Sequence, residues 1–253
     1  MVAKTIELPN IRKFFVPDPG HIIADADLAG ADAQVVAWEA DDEDLKATFR
    51  AKESIHIKNA RDMFASRVKG WTDDAIEHNS IYKEVKGGVH ATNYGATPRT
   101  CAVNFGWTVR EAENFQSRWF GLHPGIHHWH ERVEVSLQTT RSVSNKFGYR
   151  IVYFDRIESC LPNALAWIPQ STVAITCIMG ALAVDDNLPW CQLLMQVHDS
   201  LVFQYPKSRS LHRDLIRQQL ENVIPYDDPL VIPWSLKVSD RSWGDAHDTT
   251  WAA

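Results

Sequence analysis

The sequence predicts an α+β fold, with strands towards both ends of the chain and a helical block between them. Residues 21–26 form an apolar segment that follows a turn rich in Pro and Gly and ends in acids, which is typical of a β-strand. Apolar residues alternate with polar ones on both sides of His198-Asp199, which predicts two further strands. Much of residues 31–140 shows helical periodicity or helix-like composition. Because the two patterns occupy separate stretches of the chain, the class is α+β.

Helical segments dominate the first half of the chain. The predicted elements there are a short apolar segment (11–15), a strand (21–26), a helix interrupted near residues 41–42 (31–49), a polar helix-like stretch (55–94), a helix (108–121) and, after a break at 123–125, an amphipathic stretch to about residue 140. Thr108 and Glu111 have the spacing of a capping box, which fixes where the fifth of these elements begins.

The second half contains the predicted hairpin. Its elements are a strand (148–156), a buried helix (170–183), the hairpin (188–205), a helix (211–223), a strand (230–238) and an irregular tail. Two-residue hairpin turns favour Asn-Gly or Asp-Gly because positive φ is usually needed at both central positions. His198-Asp199 is an unfavourable pair for such a turn. A surface turn with polar tips and a turn kept for function are the two explanations.

Composition places the chain among ordinary globular proteins of one or two domains. It has 253 residues, of which 45% are hydrophobic, with a net charge of −6, so any polyanion site must be a local basic patch. Its four cysteines are far apart without a C-x-x-C pair, which predicts reduced thiols in a cytoplasmic protein. No apolar run reaches the ~18–20 residues that a membrane span needs, so we expect no membrane partner.

Acidic residues gather where the first strand ends. Asp25 and Asp27 close the strand and Asp32 follows in the next turn, and acids at a strand terminus are candidate metal ligands. An EF-hand calcium loop is an alternative, because Asp25, Asp27 and Gly30 have its spacing, although Ala29, Ala33 and Val36 replace its other ligands. Acids that complement the dipole of the following helix are a third explanation.

A basic and aromatic ridge is predicted on the helix-like stretch. Lys86, His90 and Tyr94 have i, i+4, i+8 spacing, and Lys83 lies one turn earlier. Such a ridge could place an ammonium group on a phosphate and a ring on a base. A solvated helix face is the alternative. Gly87-Gly88 each cost a helix about 1 kcal/mol relative to Ala, so either something approaches closely there or the segment moves.

These three segments, in this order, resemble motifs of the family A DNA polymerases, which include bacterial DNA polymerase I and many phage replicative enzymes. The similarity is greatest to phage members. DADLAGADAQVVAW (25–38) is similar to the first palm motif and aligns Asp27 with its catalytic aspartate. YKEVKGGVHATNYGA (82–96) is similar to the fingers motif, and QVHDS (196–200) to the third motif. Weaker similarities at 53–64, 119–126, 168–174 and 243–247 extend the resemblance over residues 11–247.

The resemblance implies a right-hand polymerase core without a thumb. The expected domains are palm at 1–50, fingers at 51–150 and palm again at 151–253, with an antiparallel palm sheet and mostly helical fingers. The implied activity is template-directed addition of deoxynucleotides to a primer 3′ end. Asp27 and Asp199, with the backbone carbonyl of Leu28, would hold two Mg²⁺ ions.

The resemblance also implies roles for side chains outside the metal site. Lys86 would contact the incoming phosphates, while His90 and Tyr94 would face the nucleotide sugar and base. Gln170 would contact the minor groove of the primer–template, and His198 would steady the primer end.

This sequence departs from the family pattern at four positions. Asp32 replaces the glutamate that usually excludes the ribose 2′-hydroxyl, so sugar discrimination is expected to be relaxed or rebuilt. Tyr82 replaces an arginine, for which Lys83 is the candidate substitute without its bidentate fork. His90 stands where Phe or Tyr is usual, and Ser200 stands where an acid usually follows His-Asp.

Two alternatives remain open. Four histidines and Glu131 lie within GLHPGIHHWHERVE (121–134), where sets such as His127 with Glu131, or His123 with His127 and His130, would suit zinc, although a solvated helix also explains them. A non-catalytic DNA-binding or structural relative is the alternative function, and the presence of both Asp27 and Asp199 argues against it.

The resemblance also predicts partners. Primer–template DNA and deoxynucleoside triphosphates are the expected ligands. Because Asp27 lies so near Met1, we expect one half of a split polymerase, or an excised piece, that works with a thumb-bearing polypeptide and exposes an apolar palm edge.

Overall fold

The computed structural model describes residues 9–252, which form two compact units. The sheet unit comprises the described parts of Met1–Ala31, Val173–Ile224 and Pro229–Ala253. The helical unit comprises Asp32–Thr172 and Pro225–Asp228. The predicted α+β class is confirmed, whereas the division into palm 1–50, fingers 51–150 and palm 151–253 stays a prediction.

Strands and helices follow one another in an order close to the predicted one. Within the described residues the strands are β1 (His21–Leu28), β2 (Ser142–Ser144), β3 (Arg150–Val152), β4 (Gln192–Val197), β5 (Ser200–Pro206), β6 (Trp234–Ser239) and β7 (His247–Thr249). The α-helices are α1 (Ala31–Glu39), α2 (Glu43–Arg50), α3 (Ile55–Met63), α4 (Asp73–Glu77), α5 (Ser80–Asn93), α6 (Pro98–Phe105), α7 (Val109–Leu122), α8 (Pro124–Thr140), α9 (Ile157–Asn187) and α10 (Arg213–Leu220). Short 3₁₀ helices cover Ile11–Phe14, Lys207–His212 and Trp243–Asp245.

The sheet unit is built on a five-stranded antiparallel sheet in the order β4-β5-β1-β6-β7. β1 lies at its centre, and alternate side chains of β1 point to opposite faces. Ala24, Ala26 and Leu28 lie on the buried face, where Ala24 pairs with Phe203 and Ala26 with Leu201. The small alanines leave room for their larger neighbours, and full burial of a side chain such as Phe203 stabilises the fold by about 1.5–3 kcal/mol. Asp25 and Asp27 consequently fall on the opposite face.

The predicted hairpin is confirmed, with β4 and β5 joined by His198-Asp199. Val197 pairs with Ser200, so the connection has two residues. His198 has φ 56°, whereas Asp199 does not have positive φ. Positive φ at the first central position alone is the pattern of a type II′ turn, in which Gly is usual. The expectation of strain at this turn therefore holds for His198 only.

Local signals set most boundaries in the helical unit. Thr108 and Glu111 form the predicted capping box at the start of α7. The predicted interruption near residues 41–42 separates α1 from α2, because Asp41 has φ 51° and the Asp42 side chain caps α2 by accepting from the Leu45 N–H. The helix-like stretch 55–94 divides into α3, α4 and α5, each with a polar N-cap.

Three predictions about elements were wrong in extent. The strand predicted over 148–156 is only β3, and the predicted irregular tail contains β7. The buried helix predicted over 170–183 is the much longer α9, which contains Pro162 and Pro169. Each interior proline costs a helix about 3 kcal/mol. Buried side chains along α9, including Leu165, Ile168 and Val184, offset this cost.

α9 also bears on the membrane expectation. Within residues 9–252, α9 is the one helix whose length and composition would allow it to cross a membrane. The expectation that no apolar segment reaches the length of a membrane span is therefore wrong. Core helices of soluble proteins have the same property, and 44% of the most apolar window of α9 is buried. The absence of a membrane partner and the cytoplasmic location both stay predictions.

Close packing explains the two glycines of α5. A Cβ on Gly88 would lie 2.8 Å from Trp107 Cη2 and 2.9 Å from Phe115 Cζ, and a Cβ on Gly87 would lie 2.6 Å from Phe105 Cε1. Real Cβ atoms do not approach this closely. Of the two explanations offered by the sequence, close approach is the one that the packing supports, since α6, α7 and their connection lie directly against α5.

We predict that Gly88→Ala lowers the free energy of unfolding by about 1–3 kcal/mol, because overpacking outweighs the gain in helix propensity. Gly121→Ala is the matched control, because a Cβ there meets nothing within 4 Å. This control should be neutral or stabilise by up to about 1 kcal/mol. Urea denaturation followed by circular dichroism measures both variants, and equal stability of the two would contradict the packing argument.

Candidate active site

Two carboxylates lie next to each other in the sheet unit, one on β1 and one in the turn between β4 and β5. Asp27 is the penultimate residue of β1 and pairs with Ser200, and the Leu28 N–H donates to the Asp199 carbonyl oxygen over 3.1 Å. Asp199 therefore lies directly across from Leu28, next to Asp27. The buried thiol of Cys177 is close to both carboxylates: burial, followed by the charges of Asp199 and Asp27, raises its pKa to about 12. The structure thus brings together the two aspartates that the sequence selected.

The chemistry of this donor set fits a hard divalent cation. Carboxylate oxygens are the ligands that Mg²⁺ prefers, and Mg²⁺ uses few protein ligands because it keeps several waters. In an antiparallel pair the N–H and C=O of one residue face the same neighbouring strand, so the Leu28 carbonyl is on the side of Asp199. Asp27, with its side chain exposed, and Asp199, which is half-buried, remain accessible to a ligand.

Asp25 has a different environment from Asp27, although both lie on the same face of β1. The Trp243 indole N–H donates to Asp25 Oδ2 over 2.6 Å, while Asp25 Oδ1 is buried without a hydrogen-bond partner. The calcium-loop alternative is wrong, because residues 25–36 are divided between β1 and α1 instead of forming one loop.

The helical unit brings together a second group of predicted residues. Asp32 lies in the first turn of α1, and the Tyr94 hydroxyl donates to Asp32 Oδ2 over 2.8 Å. The rings of His90 and Tyr94 are 4.3 Å apart. Burial and then the Asp32 charge raise the pKa of Tyr94, so its hydroxyl stays protonated and remains a donor. Burial lowers the pKa of His90 against the opposing effect of Asp32, which favours a neutral ring.

The predicted ridge on α5 exists, and its two ammonium groups are exposed. Lys83 and Lys86 both reach solvent on this helix. Sequence reasoning missed His56 of α3, whose ring lies edge-on to Tyr82 with 5.3 Å between centroids. Burial, with smaller effects from Lys86 and His90, lowers the pKa of His56 to about 4, so the ring is neutral near pH 7. The sequence feature that could have pointed to His56 was the weak family similarity over residues 53–64. That similarity did not indicate which residue would face α5.

The remaining predicted residues are also exposed. Gln170 lies on α9 within the helical unit, and His198 lies at the hairpin turn of the sheet unit. The sheet unit therefore carries Asp27, Leu28, His198 and Asp199, while the helical unit carries Asp32, Lys83, Lys86, His90, Tyr94 and Gln170.

The histidines of residues 121–134 do not form the zinc site that the sequence left open. His123 Nδ1 contacts Asp42 Oδ2 at 3.1 Å, His130 Nε2 contacts the Asn93 carbonyl oxygen at 2.8 Å, and His127 pairs with Glu131 at 3.3 Å. Among the described residues, one set of three potential metal ligands has its ligand atoms within 4.8 Å of one another. It consists of Asp42, Asp44 and His123. Lys58 Nζ already pairs with Asp44 over 2.6 Å, so this set is explained as an ion-pair network around the start of α2.

Known proteins that are similar to this chain include DNA polymerases from bacteria and from a phage. The thermostable DNA polymerase I of Thermus filiformis is 30% identical over 94% of this chain, and DNA polymerase I of Geobacillus stearothermophilus is 26% identical over 94%. The DNA polymerase of Mycobacterium phage D29 is 23% identical over 94%. Because bacterial and phage enzymes both match, the phage-type resemblance stays a prediction.

A solved structure has a similar fold. It is the POL domain of Pol1 from M. smegmatis in complex with DNA primer-template and dNTP, with a TM-score of 0.80 and 22% identity over 93% of this chain and 42% of that chain. This chain spans only 29%, 28% and 37% of the lengths of the Thermus, Geobacillus and phage relatives. The family model for DNA polymerase family A matches residues 2–245. The chain therefore belongs to DNA polymerase family A.

Proposed function

We propose that this chain is the palm-and-fingers portion of a polymerase that adds deoxynucleotides to a primer 3′ end under the direction of a template. The observation that carries the proposal is the placement of Asp27 near the end of β1 beside Asp199 in the turn before β5, at the positions where the family motifs have their catalytic aspartates. We further propose that the sheet unit acts as the palm and the helical unit as the fingers.

The sheet unit would hold the metal ions that this family generally requires. Asp27, Asp199 and the Leu28 carbonyl would hold two Mg²⁺ ions, which supply activation of a hydroxyl nucleophile and neutralisation of phosphate charge. The protein's contribution would be to hold the two aspartates and His198 in fixed positions. The antiparallel ladder between β1 and β5 fixes both aspartates, and the tight turn fixes His198 beside them, where it would steady the primer end.

The helical unit would hold the incoming nucleotide. Lys86, with Lys83 in place of the missing arginine, would bind the triphosphate, and the neutral ring of His56 could donate to the same phosphates. His90 and Tyr94 would face the sugar and base, and Gln170 would contact the minor groove. The Tyr94 hydroxyl holds the Asp32 carboxylate in place, so this pair is the proposed barrier to a ribose 2′-hydroxyl.

A non-catalytic DNA-binding relative is the competing function. It would retain the fold and the basic ridge but would not need two accessible carboxylates at one strand end. Primer extension in the presence of Mg²⁺ distinguishes the two functions.

We also propose that a thumb-bearing polypeptide or segment completes the DNA grip. β4 is an edge strand of the sheet, and Leu194 is exposed on it beside a register shift between Leu193 and Met195. Exposed strand edges with apolar side chains favour pairing with another chain. The net charge of −6 also disfavours binding of the polyanion by the chain as a whole.

We predict that Asp27→Ala and Asp199→Ala each abolish primer extension while the circular dichroism spectrum is unchanged, because each removes a metal ligand. Asp185→Ala is the matched control, since it removes an exposed carboxylate from α9 in the same unit. Substantial turnover by either site variant would rule out the two-metal assignment.

A second prediction concerns sugar choice. Asp32→Ala should raise ribonucleotide incorporation relative to deoxynucleotide incorporation, because a steric and polar barrier is lost. Tyr94→Phe should have a smaller effect in the same direction, and Asp32→Glu should retain discrimination. Single-nucleotide incorporation with matched ribo- and deoxyribonucleotides measures this ratio. An unchanged ratio in Asp32→Ala would assign discrimination to another residue, such as His90.

A third prediction concerns the grip on DNA. The chain alone should bind primer–template weakly at physiological salt, because affinity depends on many basic contacts to phosphates. Adding a thumb-bearing polypeptide from the same source should strengthen binding and increase extension. Tight binding and processive synthesis by the chain alone would contradict this proposal.

A further inference from the structure

Residues 11–16, which we name the basic patch, expose a dense group of apolar side chains on the sheet unit. The large apolar residues of the patch are 44–76% exposed, namely Phe15, Val16, Ile11 and Phe14. Arg12 and Lys13 are interleaved with them, and residues 9–17 contain no acid. A contiguous exposed apolar surface rimmed by polar residues is typical of a binding surface. None of the proposed catalytic or nucleotide-binding roles uses this patch.

The backbone of the basic patch is firmly held. The Trp243 backbone N–H donates to the Phe15 carbonyl oxygen over 2.8 Å, and the two rings meet edge to face with 5.9 Å between centroids. Arg12 Cζ lies 4.4 Å from the centroid of the Trp243 ring. A stacked guanidinium keeps its N–H edge available for a carboxylate. Lys13 pairs with Asp245 at 3.8 Å, whereas Arg12 makes no ion pair within residues 9–252.

A second exposed apolar surface of the sheet unit, which we name the α9 stripe, lies on one face of α9. The apolar residues of the stripe are 39–58% exposed, namely Met179, Ile178 and Leu182. Asp186 follows Leu182 by four residues on the same helix face and is also exposed. The described part of the chain provides Asp186 with no ion pair. Cys177 and Val184 are buried and belong to the opposite face of the helix.

We infer that a second copy of this chain covers the basic patch by placing its own α9 stripe against it. Both surfaces are apolar, and the charges that accompany them are opposite in sign. Arg12 would bind Asp186 of the partner subunit, and Phe14 would pack on Leu182 of the partner subunit. The inference goes beyond the proposed function, because neither surface contains a residue of the metal or nucleotide sites.

The size of the two surfaces indicates a reciprocal pair. A large side chain such as Phe carries roughly 150–250 Å² of surface, so the exposed fractions leave several hundred Å² of apolar area on the basic patch. One contact between a patch and a stripe would fall short of the ~1,200–2,000 Å² that specific interfaces bury, whereas two such contacts would reach it. We therefore expect a two-fold symmetric dimer in which each copy contributes both surfaces.

A thumb-bearing polypeptide and a nucleic-acid backbone are the competing occupants of the basic patch. Phosphates would contact the two cations and leave side chains such as Phe14 in water. A second copy is favoured over another polypeptide because this chain itself carries a surface with the complementary charge and apolar side chains. The test below separates the three occupants.

Sedimentation velocity of the full chain tests for the dimer at concentrations up to about 100 μM, where an interface with a low-micromolar Kd is almost fully formed. The parent chain should shift from monomer to dimer as its concentration rises. Arg12→Glu and Asp186→Arg should each raise the dimer Kd about tenfold or more, because each places like charges opposite one another. Phe14→Ser should raise it about fivefold or more by removing an apolar anchor.

Mixing the two charge variants is the most specific measurement. In an equimolar mixture of Arg12→Glu and Asp186→Arg, each altered side chain meets one of opposite charge, and the reciprocal contact keeps the parent's charges. A mixed dimer should therefore form about as tightly as the parent dimer. A merely structural effect of either substitution would not be reversed by mixing.

Matched controls come from the helical unit. Arg110→Glu changes an exposed cation of α7, and Phe154→Ser removes a ring that is 89% exposed. Both should dimerise as the parent chain does, and mixing Arg110→Glu with Asp186→Arg should restore nothing. Circular dichroism should show the parent's helix content in every variant.

Three outcomes would overturn the inference. They are a parent chain that stays monomeric at about 100 μM, a mixture of the charge variants that does not recover dimerisation, and equal losses in the controls. If the chain were monomeric and Phe14→Ser removed the effect of a thumb-bearing polypeptide on primer binding, the basic patch would belong to that polypeptide instead. Loss of primer–template binding in Phe14→Ser without any change in sedimentation would assign it to nucleic acid. Asp27→Ala should dimerise as the parent does, so failure of the proposed function would leave this inference standing.

Discussion

The pairing of β1 with β5 is the constraint on which the rest of the sheet unit depends. Side chains along a strand alternate between faces, so one register places Ala24, Ala26 and Leu28 in the core and Asp27 on the opposite face, where its side chain is exposed. A shift of one residue would bury Asp27 and expose Leu28. The same pairing places Ser200 opposite Asp27, and the two-residue turn then leaves Asp199 next to it. Core packing and carboxylate placement are consequences of one register.

His198 has a strained backbone conformation within this hairpin. Its φ of 56° is unfavourable for a side chain with a Cβ, and Gly would remove that cost. A glycine would not provide an imidazole beside the aspartates. Strain at a position that the surrounding strands hold in place is common at functional sites, and the ladder on both sides of the turn supplies that support here.

In the helical unit, side-chain contacts hold the predicted site residues in position, as strand register does in the sheet unit. The hydrogen bond from Tyr94 to Asp32 joins the end of α5 to the start of α1 across 62 positions of sequence. Gly87 and Gly88 let Phe105, Trp107 and Phe115 pack against α5, which fixes the helix that carries Lys86 and His90. Burial then keeps the rings of His90 and His56 from gaining charge, because it lowers the pKa of both. The ridge therefore combines exposed ammonium groups with neutral rings.

The sequence by itself determined the fold class, the hairpin, the capping box at Thr108 and the selection of Asp27 and Asp199, because these depend on local periodicity, caps and ordered motifs. Only the tertiary structure decided the extent of α9, the existence of β7 and the packing behind Gly88, because long-range burial outweighs proline and glycine propensities there. Tertiary structure also divided the histidines of residues 121–134 among separate partners and placed His56 beside α5. Contacts between residues distant in sequence leave no local pattern, and so the partners of a side chain emerge only when the chain is folded.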